Sequence, residues 1–249
     1  INVAGFGTEI SYYTINGQHK TLSRELELKY STLEWDSENK TYKNADKALT
    51  LENFKNTIAV PVPFCNTPFT LSGDRFLAYW NKKATQESDL YNTQAVEVQG
   101  LATQKDGKDG TLGGYAPAEI EFAGYPTDAV THKEWQIASD AEFGKILSRF
   151  NDNTLNYTFL EAGTFFVRFV GTNSSNSCQS MSETFTVNIG ESKLTCPNAF
   201  SPQSSEGIND VWKVSYKSIV SFQCNIFNRW GIEMCSFSNP ADGWDGKYK

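Results

Sequence analysis

Short runs in which apolar and polar residues alternate recur along the whole chain. Leu26, Leu28 and Tyr30 alternate with charged neighbours, and the same period of two recurs at 58–60, 69–71, 95–98, 120–122, 132–137, 157–159, 165–170 and 185–189. Such runs, bounded by turn residues, are typical of antiparallel strands that bury one face. Many of them in series predict an all-β fold of tandem immunoglobulin-like β-sandwich domains.

A break in this pattern suggests how the chain is organised. The segment 105–114 is rich in glycine and charge and has no apolar period, so we expect a linker or a long exposed hairpin. We therefore expect one immunoglobulin-like domain over 1–113, a second sandwich over 114–193 and a partial sandwich over 194–249. Within the second sandwich, Ser139 precedes a short segment that could form a single helical turn, with this serine as its cap.

Length and charge narrow the function classes. At 249 residues the chain is long enough for two or three domains. Its net charge of −7 argues against nucleic acid or anionic lipid as a partner. Its sequence has no apolar run of the ~18 residues that a membrane-spanning helix needs.

The cysteines and the first residue bear on the compartment. Five cysteines without metal-ligand spacing favour an oxidising compartment, and their odd number leaves at least one thiol without a partner in the chain. The chain begins at Ile1 with no leader, so we expect a mature chain or a fragment.

The stretch from Trp135 to Asn173 resembles extracellular PKD-like and fibronectin-like β-sandwich domains. Its centre is the sequence TFLEAGTF at 158–165, in which Gly163 fits a tight turn with positive φ. We expect Trp135 to pack in the core rather than to stack on a ligand.

Four blocks near the C-terminus resemble, in this order, the gliding-motility-associated C-terminal domain. They are CPNAFSP at 196–202, GINDVW at 207–212, IFNRWG at 226–231 and GWDGKY at 243–248. That family is a sorting signal of the bacterial type IX secretion system, so the resemblance implies that the secretion machinery is a partner. It also implies that nine turn and core residues shape the recognised surface: Asn209, Asp210, Asn228, Arg229, Trp230, Gly231, Trp244, Asp245 and Gly246.

This match departs from the family in two respects. The Gly-Asp-Gly usual before the Asn-Asp pair is replaced by Ser205, Glu206 and Gly207. The family also continues with further strands beyond the last block, whereas this segment has about four strand candidates against the ~7 of a closed sandwich. We therefore expect the native protein to be longer.

The hairpin around 228–231 admits two registers. A two-residue loop pairs Cys224 with Cys235, whereas a three-residue loop with a glycine bulge pairs Asn228 with Ile232 and Ile226 with Met234. The second register is favoured because it collects apolar residues on one face. It turns Cys224 inward and Cys235 outward, which makes Cys196 the preferred partner of Cys224, with the other pairings left open.

The residue pattern contains no catalytic motif. His19 and His132 are expected in exposed loops. The carboxylate pairs Glu25–Glu27 and Asp242–Asp245 suit a solvated strand face and a turn better than glycoside hydrolysis. A calcium loop at Glu206, Asn209 and Asp210 lacks the required ligand spacing, so we expect neither a metal nor a cofactor.

These observations predict a non-enzymatic protein of the extracellular space or the bacterial outer cell surface. Its sandwich domains would act as spacers or adhesive modules, and extracellular polysaccharide or protein is a further candidate partner. One alternative is a polysaccharide-binding accessory protein of the cell surface that uses Trp80 or Trp35, since exposed aromatic rings stack on sugars. Another is the non-catalytic C-terminal part of a larger secreted enzyme.

Overall fold

The regular secondary structure of the chain consists almost entirely of β-strands. A computed structural model describes residues 1–5, 9–53, 57–105, 111–202 and 209–248. Its elements, in chain order, are β1 (Asn2–Ala4), β2 (Ser11–Tyr13), β3 (His19–Thr21), β4 (Leu26–Asp36), β5 (Thr41–Leu51), β6 (Thr57–Ala59), β7 (Thr70–Gly73), α1 (Arg75–Ala78), β8 (Ala84–Glu87), β9 (Val98–Thr103), β10 (Leu112–Tyr115), β11 (Ala118–Pro126), β12 (His132–Ala138), β13 (Ile146–Phe150), β14 (Thr154–Phe159), β15 (Gly163–Thr172), β16 (Gln179–Met181), β17 (Phe185–Gly190), β18 (Lys193–Thr195), β19 (Ser215–Lys217), β20 (Cys224–Phe227) and β21 (Glu233–Phe237). The all-β prediction is confirmed.

Two compact units make up the chain. One comprises Ile1–Gln99, Gly124–Glu134 and Phe169–Ser182, and the other comprises Gly100–Ala123, Trp135–Arg168 and Glu183–Lys249.

The first unit is built on a four-stranded sheet in the order β5–β4–β7–β8. Strands β4 and β5 form a long hairpin in which Leu26 lies opposite Leu51 and Asp36 opposite Thr41. The alternation noted in the sequence turns Leu26, Leu28 and Tyr30 inward, where they are 5%, 2% and 7% exposed. The core that they enter also contains Leu51, Ile58, Val60 and Phe69.

A helical turn, α1, connects β7 to β8. Asp74 caps α1, because its carboxylate accepts a hydrogen bond of 2.9 Å from the Phe76 N–H. Arg24 holds the same carboxylate through Nε at 2.9 Å. A helix of four residues is too short to show an apolar period, so the sequence pattern does not reveal it.

The helical turn expected after Ser139 is wrong. Residues 139–144 form bends and turns, and no helix is present there. The organising side chain is Asp140, whose carboxylate accepts hydrogen bonds from the Gly144 N–H at 2.8 Å and the Lys145 N–H at 2.7 Å. A short acceptor side chain that bonds backbone amides a few residues on favours a turn over a helix.

The second unit contains most of a β-sandwich. One sheet has the order β14–β11–β9, and the other has the order β10–β17–β15–β12–β13, with β16 beside β15. Trp135 is fully buried between them, with its ring centroid 5.5 Å from that of Phe122 and 6.3 Å from that of Phe185. The prediction of a core tryptophan is thus confirmed, and Gly163 has the expected positive φ, at 150°.

Part of the segment expected to be a linker belongs to this sandwich. Residues 106–110 lie outside the described part of the chain, but Leu112–Tyr115 forms β10, which pairs in parallel with β17. A Cβ atom at Gly113 would lie 2.1 Å from the Asn188 carbonyl oxygen, so the close pairing needs glycine. The linker prediction is therefore wrong for 112–114, because the glycines here allow close strand contact.

The sheets within residues 194–248 have fewer strands than those of the sandwich. Within their described part, β18 pairs with β19 and β20 with β21, and Trp212 forms an isolated bridge with Trp244. Val214 and Cys235 are its only buried apolar residues among those described.

Candidate recognition surface in the C-terminal segment

The tip of the β20–β21 hairpin is built around Asn228. Its backbone N–H donates to the Ile232 carbonyl oxygen at 2.9 Å, and its carbonyl oxygen accepts from the Gly231 N–H at 3.0 Å. Its side-chain Oδ1 accepts from the Trp230 and Ile232 N–H groups at 2.9 and 3.0 Å. Gly231 has a φ of 79°, as a three-residue loop closed by a glycine bulge requires. The preferred register is confirmed at the tip.

Further down the hairpin the register changes. Phe227 lies opposite Glu233, as predicted, but Ile226 lies opposite Cys235, because Met234 is an extra residue on β21. This bulge makes the predicted Ile226–Met234 pairing wrong. It also turns Cys235 inward, where it is 7% exposed, so the prediction of an outward side chain is wrong too.

Cys196, Cys224 and Cys235 lie close enough to affect one another electrostatically, but no disulfide links them. All five cysteines of the chain are free thiols, and the bond expected between Cys196 and Cys224 is not formed. Burial raises the pKa of the Cys224 thiol, and the electrostatic influence of the neighbouring Cys196 and Cys235 side chains raises that pKa further. Cys224 is therefore a poor nucleophile at neutral pH.

The hairpin tip presents a large aromatic side chain to solvent. Trp230 is 74% exposed, and the Arg229 guanidinium lies 4.8 Å from the centre of its ring system. Phe227 and Ile232 flank the tip and are 56% and 55% exposed. Exposed apolar side chains gathered around a fixed turn are typical of surfaces that bind other molecules.

A second group of residues surrounds Trp244. The backbone of Trp244 exchanges two hydrogen bonds with that of Trp212, at 2.9 and 3.0 Å, and its indole Nε1 donates to the Lys247 carbonyl oxygen at 2.7 Å. The Asp245 carboxylate accepts from the Lys247 N–H at 3.1 Å. The Phe200 ring lies 5.4 Å from the Trp244 ring. These residues form a half-buried group around Trp244, which we call the tryptophan corner.

Two glycines are required in this corner. A Cβ atom at Gly243 would lie 2.6 Å from side-chain atoms of both Val211 and Lys213. Gly246 has a φ of 85°, and a Cβ atom there would lie 2.9 Å from Pro202. The sequence singled out Gly246 but not Gly243, Phe200 or Trp212, although all lie within the four blocks.

Of the Asn-Asp pair, Asn209 contributes its backbone to a contact with Ser201. Asn209 has a φ of 59°, and its carbonyl oxygen accepts from the Ser201 N–H at 2.8 Å. Glu206, the third member of the calcium cluster weighed above, lies outside the described residues. Across the part of the chain that the structure describes, no group of His, Cys, Asp or Glu is arranged to hold a metal ion.

Seven of the nine residues implied by the resemblance fall into two groups. Asn228, Arg229, Trp230 and Gly231 form the hairpin tip, and Trp244, Asp245 and Gly246 form the corner. Asn209 accepts a hydrogen bond from Ser201, the residue after Phe200, and Asp210 is half-buried. Each group is held by its own hydrogen bonds.

Ser218 is a residue that sequence reasoning missed. It is 8% exposed, has a φ of 49°, accepts from the Ala116 N–H at 3.1 Å and donates to the Gly190 carbonyl oxygen at 2.8 Å. It lines a cavity of about 300 Å³ between residues 116, 160–162 and 190–192 and residues 218–221. A serine in a polar stretch gives no sequence signal for such a role.

Comparisons with known families match two segments of the chain. Residues 1–88 match the fibronectin type III domain, and residues 194–249 match the CHU_C type IX secretion signal domain. Residues 194–249 form a type IX secretion signal domain. A comparison with curated proteins found no match.

The secretion signal domain confirms the resemblance seen in the four blocks. It indicates a secreted or outer-cell-surface protein that interacts with the type IX machinery. Both matched families are non-catalytic kinds of domain. Among the described residues, no helix is long and apolar enough to cross a membrane.

Both histidines lie on strands rather than in loops, although both are exposed. His19 begins β3 and packs against Tyr13 at a ring distance of 5.1 Å, and His132 begins β12. The expectation of loop positions is wrong, because each histidine is the first residue of a strand.

Proposed function

We propose that this chain is a non-enzymatic protein of the cell surface or the extracellular space. Its sandwich domains act as spacers or adhesive modules, and its C-terminal domain is read by the type IX machinery. We propose domain boundaries at 1–113, 114–193 and 194–249. The matches at 1–88 and 194–249 lie inside the first and last of these.

The observation that carries the proposal is the exposed hairpin tip of the secretion signal domain. Trp230 and Arg229 project from a turn that Asn228 and Gly231 hold in one conformation. A fixed turn loses little conformational entropy when it binds, so its aromatic side chain is suited to anchor a partner.

Export from the native host tests the proposal. We expect removal of residues 194–249 to retain the protein inside the cell envelope, because the address is then missing. We expect the double variant Arg229→Ala, Trp230→Ala to reduce export while leaving the fold intact, since both side chains are exposed. The fractions of protein in medium, surface and periplasm are measured by immunoblot.

A matched control separates recognition from general damage. Trp80→Ala removes another exposed tryptophan, outside the secretion signal domain, and should be exported normally. Normal export of the protein lacking 194–249 would overturn the proposal. Normal export of the double variant would remove the hairpin tip from the recognised surface.

A second candidate function is the binding of extracellular polysaccharide. Trp80 favours it, because its side chain is 70% exposed. Trp35 does not, because its ring packs between Tyr42 at 5.2 Å and Tyr125 at 5.1 Å.

A further inference from the structure

Two adjacent aromatic side chains project from the first unit beside α1. Tyr79 is 78% exposed and Trp80 is 70% exposed. Within the part of the chain that the structure describes, neither ring contacts another aromatic ring or a cation. Their faces are therefore open to a ligand.

The backbone that carries these rings is fixed by a dense set of hydrogen bonds. The Trp80 and Lys82 N–H groups both donate to the Leu77 carbonyl oxygen at 3.0 Å, and the Asn81 N–H donates to the Ala78 carbonyl oxygen at 3.0 Å. Asn81 has a φ of 56°, which closes the turn after the two aromatic residues. The rings are thus presented from a preorganised turn rather than from a loose loop.

A partly buried ion pair anchors the base of this turn. Asp74 is 8% exposed, caps α1 and accepts two hydrogen bonds from Arg24, at 2.9 Å from Nε and 2.5 Å from the terminal nitrogen. Asp74 has a φ of 113°, and Glu25, which directly precedes β4, has a φ of 52°. Backbone strain of this kind persists where the surrounding structure enforces it and is concentrated at functional sites.

The turn carries a local positive charge, whereas the net charge of the chain is negative. Arg75 pairs with Glu25 at 3.2 Å, and Asp74 pairs with Arg24, so these four charges are balanced. Lys82 and Lys83 follow directly, are exposed, and form no ion pair among the described residues. Against a net charge of −7, two unbalanced ammonium groups beside the aromatic rings attract anions locally.

We propose that Tyr79, Trp80, Lys82 and Lys83, which we call the aromatic platform, bind an anionic polysaccharide. A pyranose ring has an apolar face of C–H groups that stacks on an aromatic ring, whose face carries negative charge density. A carboxylate or sulfate on the sugar then meets the two lysines. This inference rests on the polysaccharide-binding function proposed above and adds the site and the charge of the ligand.

The size of the platform favours a polymer chain over a folded protein. Two aromatic side chains flanked by charges form a far smaller patch than the ~800 Å² per partner that a stable protein interface buries. A sugar chain needs only stacking positions and an occasional charge contact, and it gains further affinity when many copies of the protein bind one chain.

Binding to three soluble polymers tests the proposal: polygalacturonate for carboxylate, dextran sulfate for sulfate, and dextran as the neutral control. We expect the full chain to bind one or both anionic polymers and to leave dextran unbound, in titrations by affinity electrophoresis or calorimetry. The polymer that binds identifies the anionic group. Binding should weaken as ionic strength rises, because salt screens exposed charges.

Variants place the ligand on the platform. We expect Trp80→Ala to weaken binding at least about tenfold, which is about 1.4 kcal/mol. The pair Lys82→Gln, Lys83→Gln should weaken binding to the anionic polymer by about fivefold or more and remove most of its salt dependence. Trp230→Ala is the matched control, an equally exposed tryptophan in the secretion signal domain, and should bind like the original chain.

The outcomes distinguish this inference from the function on which it rests. Binding of dextran that is lost in Trp80→Ala would overturn the anionic ligand and leave polysaccharide binding in place. Binding that falls equally in Trp230→Ala would remove the platform as the site. Failure to bind any of the three polymers would overturn both.

Discussion

The fibronectin type III domain at 1–88 and the secretion signal domain at 194–249 hold their shape by different means. Among its described residues, the first buries seven apolar side chains in one core beneath a sheet with two eleven-residue strands. The second, over its described residues, buries only Val214 and Cys235 and has sheets of two strands. In the first domain, the burial of apolar surface fixes the geometry. In the second domain, the geometry is fixed by hydrogen bonds within turns and by the tryptophan corner.

This difference suits the two roles. A domain with a large core tolerates an exposed feature such as the aromatic platform, because its stability comes from elsewhere. A domain with little core leaves apolar side chains such as Trp230 on its surface, where a partner can cover them. Substitutions that act on each source of stability test the comparison.

The largest effect is expected from the core of the fibronectin domain. Leu28→Ala removes a side chain that is 2% exposed and should destabilise this domain by about 4 kcal/mol, since the cavity cannot collapse between paired strands. Urea denaturation, with hydrogen exchange of the β4 amides to assign the change to this domain, measures it. A loss below about 1 kcal/mol would contradict a core-based domain.

A smaller effect is expected from the ion pair beneath α1. Asp74→Ala should destabilise the domain by about 2 kcal/mol, because it removes the cap and leaves Arg24 without its partner. Asp74→Asn keeps a capping side chain, so the difference between the two variants measures the cap separately.

The same ion pair predicts a dependence on pH. Burial opposes ionisation of Asp74, but hydrogen bonds from the Phe76 N–H and from Arg24 outweigh it, and the pKa of Asp74 lies below its usual value. A lowered pKa adds stability that is present above the unfolded value of about 3.9 and is lost as pH falls through the folded value. The stability difference between the original chain and Asp74→Asn should therefore shrink in this acidic range. A difference that stays constant down to about pH 2 would contradict it.

In the secretion signal domain the sensitive position is a turn residue. Asn228→Ala removes the acceptor of two backbone hydrogen bonds and should destabilise the hairpin by about 1 kcal/mol. Asn228→Asp keeps an acceptor and serves as the control. Hydrogen exchange at Ile232 reports the change, and equal protection in the alanine variant would show that the turn is held by other contacts.

The smallest effect is expected at Trp230. Trp230→Ala should alter stability by less than about 0.5 kcal/mol, because the side chain is 74% exposed. Thermal unfolding measures this, with Trp244→Ala, which removes the corner, as a destabilised comparison. A large loss at Trp230 would mean that this ring supports the fold instead of a binding surface.

Much of the fold was predictable wherever a local pattern determines the structure. Alternation placed Leu28 and its neighbours in the core, and the asparagine and glycine of the hairpin specified a three-residue loop. Local sequence patterns fail to predict the structure where one inserted residue or one polar contact determines it. Met234 shifts the register and buries Cys235, and Asp140 replaces a helical turn with a bend.

The candidate sites show the same division. The aromatic residues at Trp35 and Trp80 have the same sequence signal, yet one packs between two tyrosines and the other is exposed. Only contacts with residues distant in sequence separate them. The four C-terminal blocks were enough to identify the secretion signal from the sequence. Only the fold showed that their residues form two separate groups, the hairpin tip and the tryptophan corner.

By itself the sequence determined strand periodicity, the turn chemistry of glycine and asparagine, and the presence of a secretion address, because each depends on neighbouring residues. The tertiary structure decided which strand edges meet, which aromatic rings remain in solvent and where Ser218 joins Ala116 to Gly190. Those features depend on groups up to 102 residues apart along the chain, so that no local pattern encodes them.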